Sequence, residues 1–151
     1  MVDYTGIFDG YIVDMTRLYV CGRLDEDLLR AFDAARSIQQ WVVERLKPGA
    51  VCEELFAGAA AQAEASGFGA HFMGAPGENA RFVGHGVGLE LDELPVLAQG
   101  FKQPLLAGQT IAVEPKFVFP GRGVVGIENT FAVTDGGGVK LTERSDELVV
   151  L

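Results

Sequence analysis

The sequence predicts an α+β domain, an antiparallel sheet with helices covering one face. Three observations carry that prediction. Strand-type alternation opens the chain, two helical stretches follow, and strand-like segments broken by glycine-rich turns fill most of the remainder. Strands segregated from helices in this way pair mainly antiparallel, without repeated crossover units.

The elements follow in order. Val2 to Gly22 alternates β-formers with turn residues, and Asp9-Gly10 sits where a two-residue hairpin turn is expected. Asp25 is placed to cap a helix in which Leu28, Phe32, Ala35, Ile38, Val42 and Leu46 recur at helical spacing, closed by Lys47-Pro48-Gly49. Trp41 belongs with its core face. A second, alanine-rich helix is expected from Val51 to Ala65, stopped by Ser66-Gly67. Gly67 to Asn79 reads as loop, and an exposed His71 is expected in it. Strands are expected at Arg81 to Leu91, Gln109 to Val118 and Val124 to Val133, with turns at Gly121 to Gly123 and Asp135 to Gly138.

At 151 residues and 48% apolar, residues 1–151 make one domain with a real core. The net charge of −9 disfavours nucleic acid and anionic membrane surfaces and favours a cationic ligand. Cys21 and Cys52 have neither metal-type nor redox-type spacing and read as reduced packing residues. Reduced cysteines favour a cytoplasmic setting, and the chain shows no span-length apolar run and no secretory leader pattern.

The chemistry concentrates in five residues. FVGHGVGLELDELP puts His85 between glycines, where tight geometry or close approach to another group is possible and packing partners are few. Asp3 and Asp14 each follow a valine on the arms of the expected hairpin, and Glu114 and Glu128 are embedded in TIAVEPKFVF and VVGIENTFAV. Burying an ionised carboxylate costs several kcal/mol unless it is paired or metal-bound. The strands offer few cations, Arg17, Arg81 and Lys116, so a metal site is the expected explanation.

These motifs, in this order, resemble those of the pita-bread metallopeptidase superfamily of methionine aminopeptidases, Xaa-Pro aminopeptidases and Xaa-Pro dipeptidases, with the proline-peptidase branch the nearest in pattern. VDYTGIFDGYIVDMTR resembles its two-aspartate hairpin, GHGVGLE its histidine motif, AVEPKF its first glutamate motif and GIENT its second. The resemblance implies a curved, mostly antiparallel sheet with helices on its outer face. It also implies two divalent metal ions: Asp3 on one, His85 and Glu114 on the other, Asp14 and Glu128 bridging both. A hydroxide between the metals would be the nucleophile, and Glu114 would shuttle its proton. One nitrogen and several carboxylate oxygens suit Mn, Fe, Co or Zn.

The implied activity is exopeptidase hydrolysis of short peptides, Xaa-Pro bonds preferred. Three positions depart from the pattern. Asp92 stands where proline peptidases usually have a substrate-contacting histidine, Gly126 where arginine is general, and Asn129 where aspartate is frequent. Asp92 therefore becomes a substrate-pocket candidate that adds negative charge near a developing oxyanion. These changes also motivate a second reading, an altered or inactive relative that binds peptides or proteins. Family catalytic domains are longer, so the chain is expected to be the C-terminal part of one, with exposed apolar surface that a homodimer or domain swap would cover. Arg17 is expected either to orient Asp14 or to point to the opposite face.

Overall fold

The structure, a computed structural model, describes residues 1–151. Strands β1 (Val2–Phe8) and β2 (Tyr11–Arg17) form the expected hairpin; Asp9 and Gly10 at its turn have φ of 50° and 83°, the left-handed pair that a tight two-residue turn needs. Strand β3 (Tyr19–Val20) leads to helices α1 (Glu26–Val43) and α2 (Cys52–Ala65). Then come β4 (Phe82–Gly86), β5 (Glu93–Ala98), β6 (Thr110–Val113), β7 (Lys116–Phe119), β8 (Gly123–Gly126), β9 (Asn129–Thr134), β10 (Gly137–Lys140) and β11 (Val149–Val150).

The main sheet is five-stranded in the order β10-β9-β6-β4-β5, with every pairing antiparallel. β7 and β8 form a separate hairpin, and β3 pairs in parallel with β11. Helix α1 lies against β6, β7, β8 and β10, and α2 against β4 and β5. The expected helical stripe is the buried one: Leu28, Phe32, Ala35, Ile38, Val42 and Leu46 are all in the core. Each large member contributes about 1.5–3 kcal/mol by leaving water. The helices meet where Gly58 faces Trp41; a Cβ on Gly58 would lie 2.0 Å from the indole ring. Neither helix is long and apolar enough to cross a membrane.

Several expectations need correction. Helix α1 ends at Val43, so Leu46 packs from the turn after it, and the Asp25 side chain makes no cap but pairs with Arg122. The strand expected at Arg81 to Leu91 ends at Gly86. The other two expected strands are each split, at Glu114-Pro115 and at Ile127-Glu128, because Pro115 lacks an N–H for the ladder and the chain leaves one sheet for another. Cys21 is exposed, so only Cys52 is a packing residue. Strand β5 was concealed by Pro95, which its edge position tolerates.

Register fixes the two faces of the main sheet. Ile111, Val113, Phe131 and Val133 face the helices and belong to the core, whereas His85, Ala112 and Thr130, paired across β4, β6 and β9, share the opposite face. The β1–β2 hairpin docks on that second face. Its docking bonds are Ile12 N–H to the Gly88 carbonyl at 2.7 Å and the reciprocal pair between Thr16 and Glu128 at 3.3 and 3.4 Å.

Candidate metal centre

The glycines around His85 now have a reason. A Cβ on Gly84 would lie 2.4 Å from the Ala112 carbonyl oxygen, and one on Gly86 would lie 2.7 Å from the carbonyl oxygens of both Glu93 and Leu94. Close approach of neighbouring strands, and not positive φ, is what demands glycine. The ring it delivers is buried. Its Nδ1 lies 3.1 Å from the Gly86 carbonyl and 3.3 Å from Asp92 Oδ1, while Nε2 faces Glu114 Oε1 at 3.3 Å and Glu128 Oε1 at 3.9 Å. Partners on Nδ1 hold the ring and direct Nε2 inward.

The hairpin supplies the other side. Asp3 pairs with Thr16 and Thr5 with Asp14, so these four share one hairpin face, the one turned toward Glu128. Asp14 is buried, its backbone bracketed by Thr130: Asp14 N–H donates to Thr130 Oγ1 at 3.1 Å, and that hydroxyl donates to the Asp14 carbonyl at 2.9 Å. Thr16 Oγ1 donates to Glu128 Oε2 at 2.6 Å. Asp14, His85 and Glu128 offer ligand atoms all within 4.8 Å of one another. Glu114 and Asp3 lie outside that triad; Glu114 joins through His85, and Asp3 at the rim through Lys116.

Lys116 is the residue that sequence reasoning left among the spare cations. Its ammonium donates to Glu114 Oε2 at 2.6 Å, Asp3 Oδ2 at 3.2 Å and Glu128 Oε2 at 3.3 Å. The available signal was a lysine two residues after a buried glutamate, in an otherwise apolar strand. Gly126 is its strand partner, and a Cβ there would lie 2.7 Å from Lys116 Cγ and 2.7 Å from the Pro115 carbonyl. A side chain at 126 would therefore meet both the lysine stem and the Pro115 backbone.

Arg17 and Asn129 belong to a second buried network. Arg17 points away from Asp14 and donates to the carbonyls of Thr16, Glu128, Arg144 and Ser145 and to Asn129 Oδ1, and it pairs with Asp146 at 3.2 Å. Asn129 Nδ2 donates to Gln39 Oε1 and Asp146 Oδ1, both at 3.1 Å. An aspartate at 129 would present only acceptors to those two oxygens, which accounts for the amide. His71, expected exposed, is half-buried, its Nδ1 at 2.8 Å from the Val118 carbonyl and its ring stacked on Phe119. It stands outside the centre.

Crowded charge shows in the acidities. Burial and the Asp3 charge raise the Asp14 carboxyl, and burial with the Glu114 charge pushes Glu128 up to about 7. Burial would lower His85, but Glu114, the Gly86 carbonyl and Asp92 carry it up to about 9. Burial likewise opposes ionisation of Glu114, yet His85 and Lys116 hold it below the usual range. Four carboxylates thus converge on one imidazole and one ammonium, and their mutual repulsion is what a divalent cation relieves. The mixed nitrogen and oxygen donors fit such an ion. Beside the centre, Phe82, His85, Asp92, Glu93, Leu94 and Val96 line an open cleft.

A mainly antiparallel sheet backed by two helices, with acidic groups and one imidazole gathered on its free face, defines a pita-bread metallopeptidase class of structure. An X-Pro aminopeptidase from Thermotoga maritima has the same fold, with a TM-score of 0.89 at 23% identity over 99% of this chain and 40% of that one. A dipeptidase from Pyrococcus horikoshii OT3 superposes with a TM-score of 0.88 at 30% identity, over 99% of this chain and 40% of that one. In sequence, the Xaa-Pro dipeptidase of Pyrococcus furiosus is 32% identical over 149 residues, 99% of this chain and 41% of the relative. Residues 1–135 match metallopeptidase family M24, and the chain belongs to that family. It spans about 40% of the length of these relatives.

Proposed function

We propose that the chain carries the metal centre of a dinuclear metal-dependent exopeptidase that cleaves short peptides, with Xaa-Pro bonds preferred. The observation that carries this reading is the convergence of Asp14, His85 and Glu128 within 4.8 Å, with Glu114 and Asp3 adjoining. Asp3 would serve one ion, His85 and Glu114 the other, and Asp14 and Glu128 both. When bound, two divalent cations supply a water-derived nucleophile at neutral pH and polarise the scissile carbonyl. The protein's own groups do the rest. Glu114, in contact with both His85 and Lys116, is placed to accept and return the nucleophile's proton. Asp92 and the apolar lining of the adjacent cleft are placed to meet substrate. Residues 1–151 would form the C-terminal part of the catalytic domain, and family membership together with the names of the relatives supports peptide substrates.

Metal-loaded full-length protein is expected to hydrolyse members of an Xaa-Pro dipeptide and tripeptide panel, and Asp14→Ala is expected to lose or halve saturable Mn²⁺ binding. No turnover across the panel would sink the substrate assignment. A second reading, a metal-bound peptide- or protein-binding relative, is favoured by one observation, the Asp92 carboxylate 3.3 Å from His85. Saturable metal and peptide binding without hydrolysis would move it ahead.

A further inference from the structure

The acidic cluster is divided by the two oxygens of its glutamates. Glu114 Oε1 and Glu128 Oε1 face His85, at 3.3 and 3.9 Å, with Asp14 on the same side. Glu114 Oε2 and Glu128 Oε2 face Lys116, at 2.6 and 3.3 Å, with Asp3 on that side at 3.2 Å. The lysine is no surface side chain that happens to reach inward: it is 15% exposed, and its stem lies over Gly126, where any Cβ would clash.

We propose that Lys116 is a tethered cation that holds the Asp3 side of the cluster and makes the two divalent-cation positions unequal. This rests on the metal-centre reading above and adds to it a residue of this chain that competes with an ion on the Asp3 side. An ion on the His85 side meets donors already assembled, Asp14, His85 and Glu128 within 4.8 Å of one another, and no ammonium among them. A second ion on the Asp3 side must displace the ammonium from Asp3 and Glu128, because an ammonium and a dication cannot share those oxygens without strong repulsion. The lysine also serves the protein before any ion arrives, since it offsets three carboxylates that would otherwise repel one another.

Calorimetric titration of demetallated full-length protein with Mn²⁺ tests this, read alongside the melting temperature of each metal-free sample. Wild type is expected to bind one ion tightly and a second at least about tenfold more weakly. Lys116→Met and Lys116→Gln, which remove the charge, are both expected to tighten the second step by about tenfold or more while lowering the metal-free melting temperature. Two equally tight ions in wild type would overturn the proposal and leave the dinuclear reading intact. So would folded Lys116 variants with an unchanged or weakened second step. Absence of saturable binding in wild type and in both variants would remove the metal-centre reading, and the proposal with it.

Discussion

The hairpin β1–β2 and the central strands β4, β6 and β9 contribute to one centre under opposite conditions. Every residue of β1 is exposed, with Ile7 and Phe8 at 72% and 85%, and the hairpin is held by a handful of bonds around Thr16, Ile12 and Thr130. His85 and Glu128 sit in packed sheet and connections where adjacent glycines leave no room for a methyl group. One half of the centre is therefore fixed by packing on all sides. The other is fixed by docking. Geometry across the centre depends on the joint between them more than on either half alone.

The joint has a keystone. Arg17 leaves the hairpin to bind the Glu128 carbonyl at 2.8 Å and the Asn129 side chain at 2.7 Å, while pairing with Asp146. Arg17→Met removes these bonds at once, although Asp146 keeps Lys140 at 2.6 Å and Asn129 Oδ1 keeps the Thr142 hydroxyl at 2.7 Å, and is expected to cost about 3 kcal/mol by urea denaturation. Within the packed half, Gly84→Ala forces a Cβ to 2.4 Å from the Ala112 carbonyl and is expected to cost about 1–3 kcal/mol, with a matching fall in melting temperature. If Gly84→Ala were silent in both, the rigidity ascribed to the sheet half would be wrong.

How far the sequence reached follows the same division. Local signals were sufficient for the hairpin turn at Asp9-Gly10 and for the buried stripe of α1, because each depends on neighbours in the chain. The five expected site residues stood out as carboxylates and an imidazole in apolar strand patterns; Asp14, His85, Glu114 and Glu128 are buried near one another, whereas Asp3, expected in a buried strand, is exposed at the rim. What local pattern could not supply was the break at Glu114-Pro115 and at Ile127-Glu128. A strand leaving one sheet for another looks, in one dimension, like a longer strand. Lys116 was legible only in part: Glu114 stands two positions away, but its other partners Asp3 and Glu128 are 113 and 12 positions away, and its pairing with Gly126 is set by the hairpin register.

A smaller change separates docking from packing more cleanly. Thr16→Val keeps shape but removes the buried 2.6 Å hydroxyl bond to Glu128 Oε2 and is expected to cost about 1–3 kcal/mol. The loss should be local. Amide hydrogen exchange is expected to quicken across β1 and β2 while β6 and β9 stay protected, since segments with few buried contacts open independently. Uniform acceleration throughout the sheet would mean that hairpin and sheet unfold as one unit, and the contrast between them would dissolve.

The smallest expected effect lies at the outer edge of the packed half, where Arg122 in the β7–β8 turn donates to Asp27 at 2.6 and 2.8 Å and to Asp25 at 2.9 Å at the start of α1. The guanidinium holds the Asp27 carboxyl down at about 2, below the 3.8 of an unperturbed aspartate. A depressed carboxylate favours the folded state at any pH above the unfolded value and loses that contribution as pH falls from about 3.8 through about 2. Because these groups are solvated, screening keeps the stability contribution small. NMR titration should find Asp27 low in wild type and returned toward 3.8 in Arg122→Gln. The melting temperature of the variant near neutral pH should barely move. A large drop would mean that the turn is held by this ion pair and not by the Phe68, Phe117 and Phe119 rings stacked edge to face beneath it. The packed half would then depend on surface charge as much as the hairpin depends on its joint.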